Sequence, residues 1–177
     1  MRPLLEVQSY GEICKPFDLI LFSPHGDDGA EFLEENPVIL NAHGGARNIF
    51  YDFVALECDQ GATKLAYKIA MKLSEETKFR CAVVVDRIPR AVWDMNRSIK
   101  NAARNIFNDE SLAEILNRRL RQIDAEVRAD KERILQQLSP SHGYVLDIHT
   151  MAAFSPVDRI PEMPSNMEKY IRNFVDA

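Results

Sequence analysis

Residues 19–37 read LILFSPHGDDGAEFLEENP. An apolar run of four stops abruptly, and His25, Asp27, Asp28 and Glu31 follow within seven positions. A continuous apolar run closed by turn-forming residues reads as a buried strand entering a loop. Nitrogen and oxygen donors concentrated just beyond a strand are what a divalent cation site needs. The reading of the rest of the chain follows from whether other strands end in comparable clusters.

Two do. CAVVVD (81–86) is β-branched, continuous and closed by charge, so it reads as a strand. The cationic, irregular stretch RIPRAVWDMNR (87–97) follows it. GYVLDIHT (143–150) reads as another buried strand, carrying Asp147 and His149. Between these runs lie helical patterns. In 61–73, Leu65, Ala66, Ile69, Ala70 and Leu73 share a face, and Asp59 stands where it caps the first turn. In 109–138, Leu112, Leu116, Leu120, Ile123, Val127, Ile134 and Leu138 form a core-facing stripe with a solvated charged back, stopped at Ser139-Pro140. A short helix is expected at 166–176, while NPVIL and YDFVAL are short apolar runs without a clear assignment. Strands alternating with helices predict an α/β fold with a largely parallel sheet, whose ligands bind beyond the carboxyl ends of the strands.

Composition narrows the function. The 177 residues suffice for one domain with a sizeable core. Apolar content of 46% and charged content of 28% are ordinary for a globular protein. A net charge of −5 leaves no basic footprint for nucleic acid. No apolar run approaches membrane-spanning length, and the N-terminus has no signal-peptide pattern. Three widely spaced cysteines, Cys14, Cys58 and Cys81, fit reduced thiols in a cytoplasm and offer no CxxC zinc pair.

His25 and Asp28 are spaced H-x-x-D, and His149 comes from a second strand end. Two His and one carboxylate with an open position form a usual catalytic zinc set. The bland alternative is an Asx-rich turn with a solvent-facing histidine. Asp27 and Glu31 are rival ligands or supporting acceptors, and Asp147, two residues before His149, can orient that imidazole. Asp27, Glu31 and Asp147 are thus the carboxylates at hand for catalysis. In the 87–97 stretch, Asn96-Arg97 offers a fork and an amide to a ligand carboxylate, with Arg87 and Arg90 adding positive charge. The plainer reading pairs Arg97 with Asp94 or Asp86 at the surface. His43 reads as a loop histidine, His142 as a neighbour of a helix C-terminus, and Trp93 as a packing residue. No P-loop, GxGxxG or GxSxG is present.

Taken in order, Pro24-His25-Gly26, Asp59, Asp94-Met95-Asn96-Arg97 and Asp147-Ile148-His149-Thr150 resemble the N-formylglutamate amidohydrolase family over about residues 18 to 155. That family belongs with the zinc carboxypeptidase-like (phosphorylase/hydrolase-like) hydrolases. The resemblance implies a single three-layer α/β/α domain over 1–177 with a mostly parallel central sheet. It implies one Zn2+ ion held by His25, Asp28 and His149. It also implies a grip on a substrate carboxylate by Asn96-Arg97, and hydrolysis of a formyl-like amide on an acidic amino acid such as glutamate. The partner so implied is a small acyl-amino acid. The family's late catalytic glutamate is not matched before Ala177, and Glu162 and Glu168 follow no apolar strand. This leaves open a fragment, a different base, or a degenerate member that binds metal and an acidic ligand without turnover. LFSPHGDDGAE also resembles the opening of zinc-dependent sugar N-deacetylases, where His25 and Asp28 would bind zinc and Asp27 would be the base. The later His-x-x-His of those enzymes is absent, and DMNR has no place in them.

Overall fold

The computed structural model describes residues 3–26, 29–41, 47–103 and 110–149. The element order is β1 (Leu5–Tyr10), β2 (Leu19–Ser23), α1 (Ala30–Glu35), α2 (Pro37–Asn41), α3 (Arg47–Leu56), α4 (Ala62–Thr77), β3 (Cys81–Asp86), α5 (Glu110–Leu135) and β4 (Tyr144–Asp147). The four strands form one sheet in the order β1-β3-β2-β4. β2 runs parallel to both β3 and β4, whereas β1 is antiparallel to β3. The architecture is therefore mixed α/β with a mixed sheet, and the expectation of a largely parallel sheet gives way on this point. The missed element is β1. LEVQSY alternates without a continuous apolar run, because an edge strand is covered on fewer sides than a central one.

β2 and β3 are buried at every position, their apolar runs ending in the buried polar residues Ser23 and Asp86. Successive side chains leave a strand on opposite faces, so each strand feeds two clusters. Leu19, Leu21, Cys81, Val83 and Val85 pack with Ala66 and Ala70 of α4. Ile20, Phe22, Ala82 and Val84 pack with residues of α1, α2 and α3, with Trp93, and with Leu116, Leu120 and Val127 of α5. The small alanines of α4 let its backbone approach the sheet closely.

The remaining expectations meet mixed outcomes. NPVIL and YDFVAL lie in helices α2 and α3. The two amphipathic helices form, as Ala62–Thr77 and Glu110–Leu135. The side chain of Asp59 does not cap α4; Gly61 occupies that position with φ 81° and no side-chain cap bond is made. β4 is an edge strand exposed along its length, not a buried one, with Tyr144, Val145 and Leu146 all open to solvent. The helix expected at 166–176 lies outside the described residues. Cys14, Cys58 and Cys81 are not joined in disulfides. No helix among the described residues is long and apolar enough to cross a membrane.

Register places the ends of the strands together. Phe22 is paired with Val84 on one side and Asp147 on the other, and the Ile148 amide donates to the Phe22 carbonyl at 2.7 Å. The residues that follow β2, β3 and β4 therefore emerge along one edge of the sheet.

Candidate metal centre

His25 leaves β2 two residues after its last position, and His149 leaves β4 two residues after its own. Because the two strands are parallel neighbours, their histidines meet. The ring centroids are 5.6 Å apart, with the planes tilted by 54°. His25 is buried at 3% exposure, while the side chain of His149 is 40% exposed.

Each ring is oriented by a buried carboxylate. His149 Nδ1–H donates to Asp59 Oδ2 at 2.8 Å. Its Nε2 is left as an acceptor and meets the Asn96 side-chain amide at 2.9 Å. His25 Nε2 faces Asp94 Oδ1 at 3.4 Å. The other nitrogen of that ring, Nδ1, is buried with no hydrogen-bond partner among the described residues. Burial pushes the His25 pKa down to about 4, helped by Arg90 and His149 and opposed by Asp94 and Asp59. The ring is therefore neutral near pH 7 and carries a lone pair. Neutral imidazoles with one nitrogen committed to a carboxylate and the other free to coordinate are the usual ligands of a transition-metal ion.

Two carboxylates organise the surroundings. Asp59 also donates its backbone N–H to the His25 carbonyl at 2.7 Å, which fixes the start of the following loop. Asp94 is 2% exposed and faces His25, Arg97 Nε at 3.0 Å, Arg90 Nε at 3.7 Å and the Asn96 backbone N–H at 3.1 Å. Arg90 lies between the two acids, with a second approach of 3.9 Å to Asp59. The Arg97 side chain is half exposed, and only its Nε is engaged among the described residues. Its two amino groups have no hydrogen-bond partner among the described residues. The plainer reading of Arg97 was thus right about the partner, Asp94, but that carboxylate is buried and not at the surface.

Gly26 follows His25 because the site has no room for a side chain there. A Cβ would lie 1.9 Å from Thr63 Oγ1 and 2.2 Å from Ser23 Oγ, two hydroxyls 3.0 Å apart. The backbone after β2 therefore presses directly against the start of α4.

The other expected site residues separate into three groups. Glu31 and Arg87 form an ion pair with each other, and Arg87 also donates to the Pro3 carbonyl at 3.4 Å. Arg87 is thus engaged with groups of its own chain. Asp147 lies exposed on the edge strand, and the role of orienting His149 belongs to Asp59. Asp27, Asp28, His43, Glu162 and Glu168 lie outside the described residues. His142 sits near Asp18, with Nε2 to Oδ1 at 2.8 Å, and Trp93 is fully buried, as a packing residue should be.

The fit to a metal ion can be judged from the donors themselves. An unpartnered buried imidazole nitrogen beside a second carboxylate-braced imidazole suits zinc. Among the described residues no group of three or more His, Cys, Asp or Glu side chains is placed to hold one ion. The third expected donor, Asp28, lies beyond those residues. Comparison of the chain with protein-family models, with curated proteins and with solved structures gives no match.

Proposed function

We propose that the chain is a zinc-dependent amidohydrolase-like domain acting on an N-acyl, formyl-like derivative of an acidic amino acid such as N-formylglutamate. The observation that carries this reading is the approach of His25 to His149, each braced by its own buried carboxylate. Asp28 is the proposed third ligand of a single Zn2+ ion. A three-layer α/β/α arrangement of the zinc-carboxypeptidase type and a cytoplasmic setting belong to the same proposal.

The chemistry such an ion supplies is polarisation of the amide carbonyl and activation of water. The protein's own part is orientation. Asp59 and Asp94 hold the two imidazoles in the tautomers that put a lone pair on His25 Nδ1 and on His149 Nε2, where an ion would displace the Asn96 side-chain amide. Arg97 receives the ligand's carboxylate on its free amino groups, and Asn96 adds a donor. Arg90, between two acids, adds positive charge beside the reacting amide. Asp27 and Asp147 are the carboxylates proposed for proton transfer.

A second reading is a member that binds zinc and an acidic ligand without turnover. One observation favours it. The two carboxylates described beside the histidines, Asp59 and Asp94, are both engaged with histidine and arginine, so neither stands ready as a base.

Metal analysis of wild-type protein beside His149→Ala, with formate release from N-formyl-L-glutamate, tests the proposal. Zinc in the wild type, its loss from the variant, and hydrolysis abolished by Arg97→Ala with zinc retained are the expected results. Equal zinc retention by His149→Ala overturns the metal centre. Zinc without formate release moves the assignment to the second reading. An Arg97→Ala variant that still deacetylates an acetamido sugar would instead point to a sugar N-deacetylase.

A further inference from the structure

The core-facing stripe of α5 contains a carboxylate. Leu116, Leu120 and Val127 are buried, and so is Asp124, at 0% exposure. Placing an acid at such a position is costly unless it is fully paired. Its partner is Arg128, one turn further on, whose Nε–H is shared between Oδ1 at 3.0 Å and Oδ2 at 2.9 Å. The same guanidinium reaches away from the helix. Nη2 donates to the Arg97 carbonyl at 2.8 Å and approaches the Met95 carbonyl at 3.4 Å. These carbonyls flank Asn96, the residue whose amide meets His149.

The turn is thus held from two sides. On one side Asp94 accepts from the Asn96 backbone N–H and from Arg97 Nε. On the other, α5 supplies a rigid cationic fork whose own rotamer is fixed by a buried acid. Buried Met95 and the approach of Asp94 to His25 seat the start of the segment against the core; Arg128 adds a tie from the carbonyls of Met95 and Arg97 to α5.

We infer that Arg128, oriented by Asp124, is a positioning residue that clamps the Met95–Arg97 backbone so that Asn96 and Arg97 are presented together to the carboxylate of an acidic ligand. The assignment of a ligand to those two side chains rests on the proposed function; the clamp itself does not. Displacing the turn by an ångström separates the Arg97 fork from the His149 edge, which a two-point ligand must span.

The experiment uses the full chain and two readouts. Amide hydrogen exchange of residues 94–98 is followed without ligand, and N-formyl-L-glutamate is titrated calorimetrically. Arg128→Met and Asp124→Asn are expected to speed exchange in 94–98 by about tenfold, and to raise the Kd for the probe by about tenfold, with β2 and β3 amides unchanged. Arg128→Lys should fall between, because an ammonium reaches the acid or a carbonyl but lacks the fork to hold both. Unchanged exchange at 94–98 in Arg128→Met overturns the clamp. So does acceleration spread equally over β2 and β3, or a Kd that stays fixed while Arg97→Ala abolishes binding. Faster local exchange in a protein whose wild type does not bind the probe leaves the clamp standing and removes the acidic-ligand reading instead.

Discussion

Asp59 and His149, 90 positions apart, are joined by a 2.8 Å hydrogen bond from the imidazole Nδ1 to the carboxylate. Through its backbone N–H, Asp59 also holds the carbonyl of His25. One residue between α3 and α4 therefore sets both histidines, one by its side chain and the other by its main chain. Neither link depends on the identity of the ligand, so both can be tested on metal binding alone.

Asp59→Asn keeps the shape and the backbone bond but replaces the carboxylate that makes His149 a stronger donor. Zinc affinity, measured by competition with a chromophoric chelator, is expected to fall about 10–100-fold with little change in fold. Affinity equal to wild type would mean that His149 does not coordinate.

Gly26→Ala places a methyl group on the Thr63 and Ser23 hydroxyls. Overpacking of this kind costs about 1–3 kcal/mol, and urea unfolding should register it. Thr63→Ala in the same chain removes the closest atom, so the double variant should recover part of the loss. Strict additivity of the two substitutions would show that the close approach is not the cause.

Asp94→Ala leaves His25, Arg90 and Arg97 without their shared acceptor. Its unfolding free energy should drop by about 3–5 kcal/mol, as expected when one member of a buried ionic network is deleted. Asn96→Ala removes an exposed amide nearby and should cost well under that, within about 1 kcal/mol. Thermal or urea melts compare the two directly; equal effects would deny Asp94 its central place.

Asp86 and Lys131 give the pH dependence. The carboxylate is buried at the end of β3, 2.6 Å from the ammonium, with Oδ1 unpartnered among the described residues. Burial raises its pKa from 3.8 to about 6, against the pull of Lys131 and Arg128. The folded pKa lies above the unfolded one, so the native state binds the proton more tightly. The stability this group contributes is full below pH 3.8 and is lost as pH rises through about 6. Asp86→Asn should flatten that part of the stability profile. Lys131→Met should lose about 3–5 kcal/mol at pH 8, where an unpaired carboxylate is left buried, and much less at pH 5. A loss independent of pH would show that Lys131 acts by packing over Phe22 instead.

Much of this architecture is written locally in the chain. Uninterrupted apolar runs gave β2 and β3, because a strand covered on both faces is apolar up to its last residue, here Ser23 and Asp86. Three- and four-residue spacing gave α4 and α5. The polar clusters after β2 and β4 were visible because imidazole and carboxylate side chains stand out beside apolar runs, and the turn at Asn96-Arg97 was visible as a cationic break after β3. What local pattern could not supply was pairing. Arg87 and Arg90 look equivalent in RIPRAV, yet one is held by Glu31 and the other lies between Asp59 and Asp94. Asp147 is the nearer candidate to orient His149 in sequence, but the more distant Asp59 does so. Asp124 was hidden among the charges of α5, where only contact with the core distinguishes a buried acid from a solvated one.

The sequence by itself determined the central strands β2 and β3, the long helices α4 and α5, and which residue types stand at the strand ends, since these follow from side-chain hydrophobicity and its period. Only the tertiary structure decided which acid serves which base. Hydrogen bonds and ion pairs act over a few ångströms, and the parallel register of β2 with β3 and β4, not proximity along the chain, brings His25, Asp59, Asp94 and His149 within that range.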